Sequence, residues 1–258
     1  MSILELSHVT RHFGGVTAVD EVTFAVEPRT ITSLVGPNGA GKTTVFNLIS
    51  KLVQPSSGSI VFDGADITAF QSYKVARRGL GRTFQDPRMF AGMSVLEHVL
   101  SSFSLPDENP VFAILSGPRV RAARRTALLG AGALLDQFGL RHRFADLAQD
   151  LSFGEQRFLS IARTLACDPK LILLDEPSVG LDANDLEKLK RMIVYLAREC
   201  GKTIIIIEHN LDVIFEISDE IHLLVSGKLV LSGRPDELRR HPTMIEAYLG
   251  GAYATLST

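Results

Sequence analysis

The stretch Gly-Pro-Asn-Gly-Ala-Gly-Lys-Thr, at residues 36–43, fits the pattern G-x-x-x-x-G-K-[ST] at every position and decides the fold class. The apolar run Ile31–Val35 directly precedes it and predicts a buried strand, and residues Lys42–Lys51 predict a helix. Glycines let the backbone curl so that successive N–H groups face inward at the helix N-terminus, which makes a nest for anions. The stretch therefore predicts a phosphate-binding loop between a strand and a helix.

Two side chains of this loop have predicted roles of their own. Lys42 supplies a positive charge to the β- and γ-phosphates, and the Thr43 hydroxyl can ligate Mg²⁺. The predicted nucleotide-binding residues of the segment are Gly36, Pro37, Asn38, Gly39, Ala40, Gly41, Lys42, Thr43 and Thr44.

An acidic pair complements the loop. Residues 171–176 read Leu-Ile-Leu-Leu-Asp-Glu, an apolar strand that ends in Asp175 and Glu176. A carboxylate at a strand end can reach a nucleotide, so we expect Asp175 to hold Mg²⁺ through water. We expect Glu176 to orient or deprotonate the attacking water.

Strands and helices alternate over much of the chain, which implies a mainly parallel sheet covered on both faces. Predicted strands are Leu4–Val9, Val22–Val26, Ile31–Val35, Ser59–Asp63, Leu171–Leu174, Thr203–Ile207 and Ile221–Val225, and predicted helices include Asn184–Glu199 and Leu211–Ile217. The middle of the chain, residues 94–158, has helical periodicity instead, notably over Val120–Phe138, and Ser94 with Glu97 forms a predicted capping box. We interpret it as an α-helical lobe inserted into an α/β core.

The composition excludes several classes of protein. The chain has 258 residues and a net charge of −2, which argues against a nucleic-acid-binding protein. Its apolar runs are far shorter than the roughly 20 residues of a membrane-spanning helix, and residues 1–5 do not start a signal peptide. We expect a cytoplasmic protein whose membrane role comes through a partner. Cys167 and Cys200 lack metal-like spacing, and we expect both to be reduced and packed within helices.

Residues 151–156, Leu-Ser-Phe-Gly-Glu-Gln, resemble the signature motif of ABC transporter ATPases, and further motifs follow in that family's order. Gln85 resembles the Q-loop glutamine, residues 178–182 resemble the D-loop, His209 resembles the switch histidine, and Phe13 resembles the aromatic residue that stacks on adenine. The resemblance covers nearly the whole chain. It implies a P-loop NTPase (RecA-like) core with an N-terminal antiparallel β subdomain and an inserted α-helical subdomain. The implied boundaries are 1–85 and 159–258 for the two parts of the core and 86–158 for the helical subdomain.

The resemblance also implies how the site works. In the family, the helix after the signature faces the γ-phosphate bound by the opposite subunit, so ATP joins two subunits. Ser152, Gly154 and Glu155 would then contact that nucleotide, with Ser152 and Glu155 forming a capping box. Phe153 and Glu155 stand where glycine is frequent in the family, so this signature departs from the commonest form.

Three further roles follow from the same resemblance. Gln85 would reach both Mg²⁺ and the attacking water, His209 would sense the γ-phosphate, and Glu176 would be the catalytic base. The chain lacks the Asn-Lys-x-Asp signature of guanine binding, which favours ATP. The implied partners are a second ABC ATPase, identical or homologous, and integral membrane permease subunits, with a solute-binding protein acting indirectly.

Three stretches narrow the resemblance to the larger ATPase of branched-chain amino acid importers: residues 81–90, residues 36–47 and the tail 241–250. A longer spacer at 101–120 agrees with this. The resemblance implies a protein at the cytoplasmic face of the inner membrane, bound through permeases. A groove with Arg88, Met89 and Phe90 would receive a permease coupling helix, although the three residues could simply pack the helical lobe.

Two alternatives stay open. ATPases of lipopolysaccharide extraction share the motif order and a similar tail. A soluble ABC ATPase of DNA repair, translation or cluster assembly is a third hypothesis, but the chain has neither the long coiled-coil insertion nor the tandem cassettes that the repair and translation members need. An ATPase subunit does not touch the transported solute, which here is a branched-chain amino acid or a related amide such as urea only by resemblance.

Overall fold

The computed structural model describes residues 1–87, 89–103 and 117–254. Arg88 and residues 104–116 of the spacer, on which two of the expectations above depend, lie outside the described residues. The chain divides into two compact units. The first contains the residues up to Arg82, Lys170–Val179 and the residues from Ala183 onward; the second contains Thr83–Pro169 and Gly180–Asp182.

The first unit begins with an antiparallel sheet, as the resemblance implied. Its strand order is β2-β1-β4-β5, and the strands are β1 Leu4–Phe13, β2 Val16–Val26, β4 Ser57–Phe62 and β5 Ala65–Asp66. The hairpin of β1 and β2 extends beyond its predicted ends, because Arg11, His12 and Phe13 pair with Val19, Thr17 and Val16 across two irregularities. This polar extension lacks the apolar run that marked the predicted strands.

The second sheet of this unit is mainly parallel and has the order β10-β9-β3-β8-β7-β6. Its strands are β3 Ile31–Val35, β6 Leu80–Arg82, β7 Leu171–Asp175, β8 Thr203–Ile207, β9 Glu220–Val225 and β10 Lys228–Gly233. Every residue of β3, β7 and β8 is buried, as expected of parallel strands covered on both faces. Only β10 runs antiparallel to its neighbour among the described strands of this sheet.

Side chains on the two faces of this sheet belong to two different apolar clusters. Leu34, Leu173 and Ile205 belong to a large cluster that includes the antiparallel sheet and the helix after the phosphate loop. Val35 and Leu223 belong to a smaller cluster with residues of the last helices. The helices of this unit are α1 Lys42–Ile49, α2 Ser72–Arg77, α6 Ala183–Arg198, α7 Leu211–Ile217, α8 Pro235–Leu238 and α9 Pro242–Ala254.

The second unit is helical in its described residues. It contains α3 Val95–Leu100, α4 Gly117–Gln137 and α5 Phe153–Leu165, with short 3-10 turns at Arg141–Arg143 and Ala148–Asp150. Both predicted capping boxes are confirmed, at Ser94 of α3 and Ser152 of α5. The prediction for the cysteines was wrong in one respect: both thiols are free, but Cys167 and Cys200 are exposed, because α5 and α6 end before them.

None of the helices that the structure describes combines the length and the apolar character needed to span a bilayer.

Candidate active site

The phosphate loop lies where the sequence predicted, between the end of β3 and the start of α1 at Lys42. Two of its glycines are required by space and by backbone conformation. A Cβ on Gly36, at φ 146°, would lie 2.1 Å from the Leu224 carbonyl oxygen, and one on Gly41, at φ 100°, would lie 2.4 Å from the Ala18 carbonyl oxygen. The loop therefore packs directly against neighbouring backbone, which any larger residue at these two positions would push apart.

A cavity of about 210 Å³ opens over this loop. The residues that line it are Ala18, Asn38, Gly39, Ala40, Gly41, Lys42, Thr43, Thr44, Glu176 and His209. The structure thus brings most of the predicted phosphate-binding residues together with two of the three predicted catalytic ones. Among the described residues, the lining includes Glu176 but not Asp175.

Lys42 crosses the loop that precedes it. Its Nζ donates to the Gly36 carbonyl at 2.7 Å and to the Pro37 carbonyl at 3.0 Å. Burial lowers the pKa of Lys42, while the negative charges of Glu176 and Asp175 partly oppose that effect. The ammonium is therefore a partly desolvated cation, which interacts with a phosphate more strongly than a fully hydrated one.

Glu176 and His209 are the two predicted catalytic residues that line the cavity. The parallel pairing of Asp175 with Ile207 sets the ends of β7 and β8 side by side, and the Glu176 amide donates to the Ile207 carbonyl at 2.9 Å. Glu176 has φ 46°, an unfavourable value for a side chain of this kind. Its Oε1 lies 2.7 Å from His209 Nε2, a hydrogen bond that orients both groups.

A buried acid next to His209 holds the loop that follows β7. Glu208 is 1% exposed, and it accepts hydrogen bonds from the Ser178 amide at 2.8 Å, from the Ser178 hydroxyl at 2.7 Å and from the His209 amide at 3.1 Å. Sequence reasoning gave Glu208 no role. The available signal was an acid at the end of a buried apolar strand, the same signal that identified Asp175.

Two more residues of the site were missed. Arg82, at the end of β6, forms an ion pair with Asp175. Tyr248, in the last helix, accepts a hydrogen bond from the Gly36 amide at 3.1 Å. This commits the first amide of the loop to the protein itself, so the nest must use amides that follow it.

Phe13, at the end of β1, is half exposed and available for stacking. The Arg11 guanidinium lies over its ring, 4.6 Å from the centroid, while Arg11 Nη1 donates to the Gln54 carbonyl. A cation on one ring face leaves the other face for an adenine. The adenine role of Phe13 stays a prediction.

The signature residues lie at the start of α5 in the second unit. The Ser152 amide donates to Glu155 Oε2 at 2.8 Å and the Glu155 amide to Ser152 Oγ at 3.3 Å. Burial by itself raises the pKa of Glu155, but its bonds from Ser152 and the charges of Arg143 and His142 together hold that pKa below its ordinary value. Gly154 is buried within the first turn. Gln85 is exposed in a bend that follows β6.

The proposed docking groove is partly described. Phe90 is half exposed, its ring stacks on His98 at 5.2 Å between centroids, and the Arg163 guanidinium lies 5.4 Å from the ring centroid. His98 is fully buried, and its Nε2 accepts from the Phe90 amide at 3.1 Å. Phe90 therefore both packs on the helical unit and presents apolar surface, which agrees with each interpretation of these residues.

The oxygen donors near the phosphate loop fit a magnesium ion. Mg²⁺ prefers hydroxyl, carboxylate, phosphate and water oxygens. Thr43 lines the cavity, and Asp175 ends the buried strand β7 with its carboxylate paired to Arg82. The described residues contain no cluster of three or more histidine, cysteine, aspartate or glutamate side chains that could hold a metal ion.

Comparison with known proteins gives consistent matches. A family model described as "ABC transporter" matches residues 19–179. The chain is 38% identical over 251 residues to the high-affinity branched-chain amino acid transport ATP-binding protein BraF of Pseudomonas aeruginosa, covering 97% of this chain and 98% of the relative. It is 36% identical to LivG of Escherichia coli over the same shares. It is 32% identical to the lipopolysaccharide export system ATP-binding protein LptB of Haemophilus influenzae, over 97% and 98%.

Solved structures of ATP-binding cassettes have the same fold as this chain. A crystal structure of a nucleotide-free ATP-binding cassette from an ABC transporter superposes with a TM-score of 0.83 at 28% identity, over 96% of this chain and 99% of the other. A dimeric cassette in a post-hydrolysis state, bound to ADP and Pi, superposes with a TM-score of 0.75 at 25% identity, over 90% and 98%.

Proposed function

The chain belongs to the ABC transporter family as an ATP-binding, ATP-hydrolysing subunit, and on that premise we propose that it energises uptake of branched-chain amino acids or related amides. The observation that carries the catalytic part is the cavity in which the phosphate loop, Glu176 and His209 meet. BraF and LivG are branched-chain amino acid transport ATP-binding proteins, and the likeness covers nearly their whole length. This likeness supports branched-chain amino acids as the solute class.

The proposed binding step uses the loop and the two sheets. ATP places its phosphates over the amides at 39–43, with Lys42 at the β- and γ-phosphates and Phe13 stacked on the adenine. Thr43, Gln85 and Asp175 are the proposed magnesium ligands. The ion would neutralise charge that develops on the phosphates.

The proposed chemical step uses the dyad at the ends of β7 and β8. Glu176 accepts a proton from the attacking water, since its carboxylate lines the cavity beside the loop. His209 holds Glu176 through their hydrogen bond and contacts the γ-phosphate. Gln85 orients the same water.

The proposed working form is a pair of ATPase subunits. Ser152, Gly154 and Glu155 of one subunit would contact the nucleotide of the other through the α5 N-terminus, whose dipole favours an anion. The dimeric cassette among the structural neighbours supports this arrangement. We propose that the pair sits at the cytoplasmic face of the inner membrane on permease subunits, through the surface at Met89 and Phe90, with a solute-binding protein outside.

Export of lipopolysaccharide is a second candidate, because the chain also covers almost all of LptB at 32% identity. An uptake experiment separates the two. Deletion of the gene in its own host should abolish high-affinity uptake of radiolabelled leucine, isoleucine and valine, and the wild-type gene should restore it. The Glu176→Gln gene should fail to restore it although the protein accumulates.

Unchanged uptake of these amino acids and of urea in the deletion strain would contradict the proposal. A simultaneous loss of surface lipopolysaccharide would favour the second candidate.

A further inference from the structure

Arg82 is a buried arginine at the edge of the nucleotide site. It is the last residue of β6, and only 7% of its side chain is exposed, against 6% for its partner Asp175. Its Nη2 donates to Asp175 Oδ2 at 3.1 Å. The pair therefore lies out of water, where an ion pair is retained only if its geometry and hydrogen bonds are good.

The other arm of the same guanidinium binds α1. Nη1 donates to Asn47 Oδ1 at 2.8 Å and to Ser50 Oγ at 2.8 Å, and the guanidinium lies 5.7 Å from the centroid of the Phe46 ring. Ser50 Oγ donates in turn to the Phe46 carbonyl at 2.7 Å. Arg82 thus connects a carboxylate at the end of β7 with the last turn of the helix that begins at Lys42.

This bridge requires an arginine. A planar guanidinium donates in several fixed directions, so one group can bind a carboxylate on one side and an amide and a hydroxyl on the other. A lysine ammonium is a point charge with a shorter reach and could satisfy one side only. A neutral side chain would remove the cation that faces the buried Asp175 carboxylate.

We propose that Arg82 is a positioning residue for magnesium–nucleotide binding. By fixing Asp175 to α1, it holds the carboxylate at a constant distance from Thr43, which lies in the first turn of the same helix. The two proposed oxygen ligands then stay in place relative to each other. The inference rests on the proposed function, in which Thr43 and Asp175 hold the ion.

The test measures binding of a fluorescent, non-hydrolysable ATP analogue as Mg²⁺ is titrated, and again in EDTA. The variants are Arg82→Met, Arg82→Lys and, as the reference for a lost ligand, Asp175→Asn. Arg198→Met is the matched control, because Arg198 also pairs with an aspartate, Asp219 at 2.5 Å, but lies at the end of α6.

We expect Arg82→Met to raise the Mg²⁺ concentration at half-saturation by about 10-fold or more, the usual effect of removing a residue that orients a metal ligand. Affinity in EDTA should change little, since the loop and Phe13 remain. Arg82→Lys should recover part of the shift, and Arg198→Met should match the wild type.

The outcomes distinguish the two proposals. If Asp175→Asn shifts the Mg²⁺ midpoint and Arg82→Met leaves it at the wild-type value, Arg82 has no positioning role and the proposed function stands. If wild-type binding does not depend on Mg²⁺, or Asp175→Asn does not shift the Mg²⁺ midpoint, the proposed magnesium site falls, and the positioning role of Arg82 falls with it. Should Arg82→Met fail to fold, Arg82→Lys and Asn47→Ala decide, and unchanged midpoints in both overturn the proposal.

Discussion

Glu176 has a strained backbone and a side chain that faces the nucleotide cavity. Its backbone has φ 46°, which costs a residue of this kind of order 1 kcal/mol. Its side chain nevertheless lines the cavity and bonds His209. The Glu176 amide bond to Ile207 keeps the unfavourable conformation in place. A strained conformation that the surrounding structure maintains agrees with the proposed role of Glu176 in hydrolysis.

Glu176→Gln tests this residue directly. Glutamine has the same backbone preferences and can still accept a hydrogen bond from His209, so the fold should be kept. Loss of the base should lower the ATPase rate about 100-fold or more. ATP should then accumulate between subunits, and size-exclusion chromatography should show an ATP-dependent dimer. The exposed Glu199→Gln should behave like the wild type. Near-normal turnover of Glu176→Gln would rule Glu176 out as the base.

At the scale of elements, two helix starts of the second unit are built alike. In both α3 and α5 a serine amide donates to a glutamate three residues on at 2.8 Å, and the glutamate amide donates back at 3.3 Å. Such boxes satisfy amides that the helix itself leaves unpaired. Only the second has a proposed partner across the dimer.

This likeness gives a paired prediction. Ser94→Ala and Ser152→Ala should each lower the free energy of unfolding by about 1 kcal/mol, measured by urea denaturation. Ser152→Ala should also lower ATP turnover about 10-fold or more, because a hydrogen bond to a charged phosphate is lost. Equal turnover in the two variants would mean that Ser152 only caps its helix.

Across the whole molecule, patterns local in sequence were predictable and distant partnerships were not. The apolar runs gave Ile31–Val35, Thr203–Ile207 and the helix Leu211–Ile217 with the bounds that the structure has. The short β6 and the edge strand β10, in which every second residue is exposed, were missed. The fold class itself followed from the phosphate loop and its flanking strand.

The site divides in the same way. The loop at 36–44 and the pair Asp175 and Glu176 are linear motifs, so their roles could be predicted from the residues next to them in the sequence. Arg82 bonds a residue 93 positions away, and Gly36 bonds one 212 positions away. Such pairs can be predicted only once the three-dimensional arrangement of the elements is known, and the spacing of residues in the sequence does not reveal that arrangement.

The stability of the folded chain should depend on pH through a buried histidine. His222 on β9 is 2% exposed, its ring lies 4.7 Å from that of Phe24, and burial lowers its pKa to about 4. The unfolded chain takes up this proton near pH 6.5, so between pH 6.5 and 4 only the unfolded state binds it and stability falls as pH falls.

The expected loss is about 2 kcal/mol in the free energy of unfolding between pH 7 and pH 5. Urea denaturation at both pH values measures it. His222→Gln should remove this part of the pH dependence, and the exposed His142→Gln should leave it unchanged. The same pH dependence in His222→Gln and the wild type would contradict the assignment.

The hydrogen bond from the Gly36 amide to Tyr248 makes one proton of the phosphate loop a reporter for the tail of the chain. That proton is protected from exchange with solvent deuterium while Tyr248 accepts its hydrogen bond, whereas the exchange of the loop's other amides would follow nucleotide occupancy. Within one peptide that spans the loop, the exchange rate of the Gly36 amide would therefore report the contact with the last helix, and the exchange rates of the other amides would report the bound ligand. Comparing these exchange rates would show whether the contact between the loop and the last helix breaks during the hydrolysis cycle or persists throughout it.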